Sequence, residues 1–128
     1  MKLIDTSVAL DHLQGELKAT ALLSDLLARN EVVAASELTR AEVLAAIRPG
    51  ERDASEQFFS VFSWVPVNEQ ISRVAGDLAS DRPAGRHGVG AVDYLIAATA
   101  MVIGAELVTT NPRRFPMLSE LKPAYTRR

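Results

Sequence analysis

Ala91–Gly104 carries a single charge, Asp93, in a segment that is otherwise apolar nearly all round. A helix of that kind must be covered on every side, so it has to form the buried centre of whatever the chain folds into. The rest of the sequence shows what covers it. Four short apolar runs, Lys2–Ile4, Val32–Ala35, Trp64–Val67 and Glu106–Thr109, read as strands, the third interrupted by Pro66. Between them lie segments of helical period. Ala19, Leu22, Leu23, Leu26 and Leu27 recur at three- and four-residue spacing and predict an amphipathic helix ending near Arg29-Asn30. Ser36 caps a helix over Glu37–Arg48 that Pro49-Gly50 terminates, and further helices are expected over Ala54–Phe62 and Glu69–Ala79. Thr6 or Ser7 is the expected N-cap of a first helix through Val8, Leu10 and Leu13. Asp81–Gly90, rich in Gly, Pro and charge, reads as a loop; Asn111-Pro112 starts a turn, and Leu121–Lys122 is expected to add a short last strand. Short apolar strands alternating with helices imply a parallel sheet covered on both faces, a three-layer α/β fold. In such folds sites lie at the carboxyl ends of the strands.

At 128 residues the chain is expected to form one domain over 1–128. It has no cysteine, which excludes disulfide frameworks, cysteine zinc sites and thiol catalysis. The longest uncharged apolar stretch, Tyr94–Ala105, falls short of the roughly 18 residues a membrane span requires. The start of the chain lacks the apolar core of a signal peptide, so a soluble, cytoplasmic protein is expected. The net charge of −2 does not suggest a nucleic-acid binder, but its distribution is uneven. From Asn111 onward Arg113, Arg114, Lys122, Arg127 and Arg128 face one acid, Glu120, so the acid excess is confined to the first 110 residues.

Most of those acids sit on polar stretches and read as solvated surface. Three do not. Asp5 closes the first strand, where the sheet's carboxyl edge should be, although Asp is also a good helix cap. Glu42 has Leu38, Ala45 and Ala46 at i−4, i+3 and i+4, so no helical ion pair explains it. Asp93 lies in the first turn of the buried helix, where the helix dipole favours a carboxylate but burial does not. An α/β fold can bring these three to one edge. Two carboxylates about 4 Å apart would repel by about 4 kcal/mol at an effective dielectric of about 20. A cluster of that kind takes up a proton or a cation. Its donors would all be oxygen, which suits the hard cations Mg²⁺ and Mn²⁺. An open acidic site of this type acts mostly on phosphates, activating a water and neutralising charge on a phosphodiester.

Four segments in order carry a family resemblance: Leu3-Ile4-Asp5-Thr6-Ser7, Ser36-Glu37-Leu38-Thr39-Arg40-Ala41-Glu42-Val43, Asp93-Tyr94-Leu95-Ile96-Ala97-Ala98-Thr99-Ala100, and Leu107-Val108-Thr109-Thr110-Asn111-Pro112-Arg113-Arg114-Phe115. Along its whole length the chain resembles PIN-domain ribonucleases of the VapC type, toxins of type II toxin–antitoxin systems. The resemblance implies a Rossmann-like PIN domain with a short parallel sheet of four or five strands. It also implies an Mg²⁺-dependent endonuclease acting on structured RNA of the tRNA or rRNA class, with Mn²⁺ as substitute, a homodimer, and a cognate antitoxin that inserts residues into the site. Carried over by position, Asp5 and Asp93 are the direct metal ligands, Glu42 is the third catalytic acid acting through water, and Thr6 and Asn111 line the pocket. One departure stands out. Family members often have a further acid after the fourth strand, whereas Thr110–Phe115 contains none and Arg114 stands where Asp is frequent. That departure points to one resident metal, with a second ion recruited by substrate.

Arg82, Arg86, Arg113 and Arg114 are candidates for a phosphate-binding rim. Gly88-Val89-Gly90 follows a loop rather than a strand and lacks the third glycine of a phosphate loop, so it reads as loop punctuation. A haloacid-dehalogenase-type phosphatase would need a second Asp where Ser7 stands, and a receiver-like domain an Asp after a middle strand, which neither Ser36 nor Asn68 supplies. The remaining alternative is a PIN fold that binds RNA with weak or no catalysis.

Overall fold

The computed structural model describes residues 1–81 and 89–126. Its elements run β1 (Lys2–Ile4), α1 (Thr6–Leu13), α2 (Leu17–Ala28), β2 (Val33–Ser36), α3 (Glu37–Ala46), a 3₁₀ turn (Pro49–Glu51), α4 (Arg52–Phe59), β3 (Ser63–Val65), α5 (Glu69–Ser80), α6 (Ala91–Ile103), β4 (Glu106–Val108) and a second 3₁₀ turn (Pro112–Arg114). The strands of the described residues form one parallel sheet in the order β3-β2-β1-β4. The chain therefore steps outward from β1 through β2 to β3, then crosses back to place β4 on β1's other side. Strand order reverses between β1 and β4, and their carboxyl ends flank the crevice where a doubly wound sheet binds its ligand.

The period of two along each strand sorts the core into two faces. Ile4, Val33, Ala35 and Val108 meet Val8 of α1 and Leu23 and Leu26 of α2 on one face. Leu3, Ala34 and Leu107 meet Ile96, Ala97 and Ala100 of α6 on the other. Outside α6, Ile71 and Ala75 of α5 cover Tyr94 and Ala98, so α6 is enclosed by sheet and helix as its composition requires. Its two ends emerge, with Ala91 exposed at the first turn and Met101 half exposed at the last. Gly104, at φ 70°, then turns the chain so that the Ala105 amide reaches the Ala100 carbonyl at 2.9 Å, a left-handed cap open to glycine at no steric cost.

Three expectations change. The cap of α1 is Asp5 itself, whose carboxylate accepts from the Thr6 amide at 2.7 Å, and not Thr6 or Ser7. β3 ends at Val65, before Pro66, which has no amide to donate. Leu121–Lys122 is not a strand. Pro123 follows it, and a single backbone bond, Ala124 amide to Thr109 carbonyl at 2.8 Å, ties that segment to the end of β4. Residues 82–88 of the expected loop, with Arg82, Arg86 and His87, lie outside the described residues.

His12 links stability to pH. Its ring sits 4.5 Å from the Phe58 ring, with Nδ1 2.8 Å from the Thr20 hydroxyl, and burial pushes its pKa below the ordinary 6.5. The unfolded chain then binds more protons than the folded one between the depressed value and 6.5, so stability falls as pH drops through that window. The melting temperature is expected to decline just below pH 6.5, and His12→Gln to flatten that decline; superimposable profiles would refute the linkage.

Candidate active site

The carboxyl ends of β1 and β4 carry the site. Asp5 follows β1 directly, and its amide donates to the Val108 carbonyl at 2.9 Å, which fixes it at the reversal point. Its side chain is 1% exposed. Oδ1 accepts from the Thr6 amide, and Oδ2 accepts from the hydroxyls of Thr109 at 2.7 Å and Ser7 at 3.1 Å. Asp5 is thus the helix cap, and capping uses one of its two carboxylate oxygens. The same hydroxyls brace the chain leaving β4: Ser7 Oγ accepts from the Thr110 amide and Thr109 Oγ1 from the Asn111 amide, each at 3.1 Å. Ser7 and Thr109 are functional-site residues that sequence reasoning missed. Thr109 is fully buried at the end of an apolar strand, where a hydroxyl needs a partner, and that was the available signal.

Glu42 reaches the site from α3, half-buried, and its Oε1 accepts from the Thr6 hydroxyl at 2.5 Å; that hydroxyl also lies 3.2 Å from the Thr39 hydroxyl. Thr6, expected to line the pocket, therefore spends its side chain on holding Glu42. Asp93, in the first turn of α6, is 4% exposed, and Oδ2 accepts from the Gly90 amide at 3.2 Å. Its Oδ1 is taken by Arg114, whose Nε and Nη2 donate to it at 2.9 and 2.5 Å. Arg114, a candidate for a phosphate-binding rim, is here the counter-ion of Asp93. Burial works against its charge, but the hydrogen bond to Asp93 and the charges of Asp93, Asp5 and Glu42 outweigh it and raise its pKa. Among the described residues Asp93 is the acid in contact with this guanidinium; Asp5 and Glu42 add only longer-range charge attraction. Beside it a cleft of about 570 Å³ is lined by Ser7, Thr110, Asn111, Arg114, Tyr125 and neighbouring residues. Asn111 and Arg113 are exposed, and only Asn111 of the two lines the cleft.

The fit to a divalent cation can be judged from the donors. They are carboxylate oxygens on rigid element ends, the chemistry a hard cation takes. Asp5 Oδ2 has two donors on it, which leaves Oδ1 the freer atom. Among the described residues no three His, Cys, Asp or Glu side chains stand together as a finished metal site. A positive charge already sits on Asp93, so the site's demand for a cation is visible in Arg114 itself. The donor chemistry suits a hard cation, and Arg114 holds the Asp93 oxygen that such an ion would take.

Fold and site together define a Rossmann-like α/β protein with buried acids at the reversal point of its sheet, beside a cleft lined by Arg114 and polar side chains. The chain belongs to the PIN-domain family, whose model matches residues 2–121. It is 51% identical to Ribonuclease VapC19 of Mycobacterium tuberculosis over 98% of this chain and 100% of that protein. To Ribonuclease VapC10 of the same organism it is 36% identical, over 98% and 93%. Its fold is similar to that of a chain in a toxin–antitoxin complex from Klebsiella pneumoniae, with a TM-score of 0.79, 23% identity and 98% of each chain covered. Among the described residues no helix is long and apolar enough to cross a membrane.

Proposed function

We propose that this chain is the toxin half of a type II toxin–antitoxin pair: a single domain over residues 1–128 and an Mg²⁺-dependent endonuclease hydrolysing phosphodiester bonds of structured RNA, of the tRNA or rRNA class. The observation carrying this reading is buried Asp5 at the sheet's reversal point, with Glu42 bonded to the adjacent Thr6 and Asp93 paired with Arg114, which lines the same cleft as Ser7. Full-length similarity to two proteins named ribonucleases supports the reaction. The matching fold inside a toxin–antitoxin complex supports a small cognate antitoxin as partner. A homodimer working in the cytoplasm completes the reading.

Asp5 and Asp93 would hold the ion, Mg²⁺ or Mn²⁺ in its place. Bound there, a divalent cation supplies a nucleophilic water at neutral pH and offsets charge developing on the phosphate. Glu42, pinned by Thr6, orients the attacking water and accepts its proton. Asn111, Arg113 and Arg114 hold the RNA backbone, and Ser7 and Thr109 keep Asp5 in place. The Arg114–Asp93 ion pair favours a second reading, an RNA-binding PIN fold with weak or no catalysis.

Both are tested by incubating purified protein with total RNA, with and without Mg²⁺ or Mn²⁺, beside Asp93→Asn. Metal-dependent cleavage lost in the variant is the expected result. Cleavage indifferent to metal and substitution overturns the mechanism, and RNA retention without cleavage selects the second reading. Expression alone is expected to arrest a bacterial host, with relief on co-expression of the antitoxin; normal growth with abundant soluble protein counts against a toxin.

A further inference from the structure

We infer that Arg114 is a built-in competitor for the metal position: a divalent cation gains Asp93 Oδ1 only by displacing the guanidinium from it. The inference rests on the metal-dependent reading above. Asp93 has two carboxylate oxygens: Oδ1 accepts two N–H groups of Arg114, while Oδ2 accepts the Gly90 amide alone and keeps a lone-pair site. A hard cation needs direct access to a carboxylate oxygen, and the oxygen carrying the guanidinium has its lone pairs engaged. An ion entering beside a retained guanidinium would also add a second positive charge next to the first.

The local architecture allows the exchange at the level of one side chain. Arg114 closes a three-residue 3₁₀ turn and its side chain is 35% exposed, whereas the next residue, Phe115, is fully buried and anchors the backbone. Arg114 also lines the cleft that Asn111 and Tyr125 border. Displaced from Asp93, it turns into that cleft with its donor fork free for a phosphate, the oxyanion geometry a guanidinium matches best. One residue thereby couples metal arrival to RNA capture. In the ion's absence it supplies the counter-charge to buried Asp93.

Calorimetric titration with Mn²⁺, and melting in EDTA, test this on the full chain. Arg114→Gln is expected to bind Mn²⁺ about tenfold tighter than the wild type, the factor that about 1.4 kcal/mol of relieved competition produces. In EDTA it is expected to melt lower, because buried Asp93 loses its counter-ion. Arg114→Lys, which keeps the charge but not the two-pronged grip, should fall between them. Unchanged or weaker Mn²⁺ affinity in both variants, with Asp93→Asn still abolishing binding, overturns the competition and leaves the metal site standing. Failure of the wild type and both variants to bind Mn²⁺ overturns both.

Discussion

Asp5→Asn should lower RNA cleavage about a thousandfold, the factor for about 4 kcal/mol of transition-state stabilisation, while the protein stays folded. The substitution is isosteric, so the site tests charge and not shape. The Asn carbonyl can take the Oδ1 position and keep accepting the Thr6 amide, preserving the cap of α1. Its NH₂ then faces the hydroxyls of Ser7 and Thr109, which rotate from donating to accepting. The cap bond survives, the anion is lost, and the Ser7 and Thr109 hydroxyl hydrogens lose their acceptor. Asp5→Ala differs in kind: it removes the cap, worth about 1 kcal/mol, and strands buried donors at about 1–3 kcal/mol. Parallel melting curves and cleavage assays separate the cases. Near-wild-type cleavage by a well-folded Asp5→Asn protein would mean that Asp5 is a helix cap and nothing more.

Asp5 and Asp93 were legible in the sequence because each breaks a pattern, one an apolar strand and the other an apolar helix. Glu42 was legible because its helical neighbours offer it no cation. The layer architecture followed from the same periodicities. Hydroxyl residues break no pattern, which is why Ser7 and Thr109 escaped notice: a Thr at a strand end is ordinary until the acid it serves has been placed beside it, and those two residues are far apart in sequence. Arg114 was seen as a departure but misassigned in its contact, because a residue on a short 3₁₀ turn has no periodicity to say which way it points. The last expected strand failed for a similar reason. Leu121 is apolar because it packs against the α6 face of the sheet, and apolarity alone does not distinguish that from a strand.

Phe115→Ala is expected to destabilise the fold by about 3–5 kcal/mol, the usual cost of removing a buried aromatic. The ring is fully buried in the cluster formed by Leu3, Ala34, Leu107 and the inner face of α6. It therefore fills the space between sheet and central helix directly beneath the site. For a domain of this size the loss corresponds to a fall in melting temperature of about 10–20 °C. Phe115→Leu, which keeps most of the volume, should cost about 1.5 kcal/mol or less. The backbone explains why the site responds too. The Phe115 amide donates to the Pro112 carbonyl at 2.9 Å, closing the turn that carries Arg114, and the Arg114 guanidinium lies 5.9 Å from the Phe115 ring centre. Losing the ring thus loosens the turn that places Arg114 on Asp93. Urea unfolding gives the stability loss directly, and a Phe115→Ala protein as stable as the wild type would show that the turn is held by its hydrogen bonds alone. A turn held that way would leave Arg114's grip on Asp93 independent of the core, whereas the buried ring makes the position of the counter-ion a consequence of how sheet and helix pack.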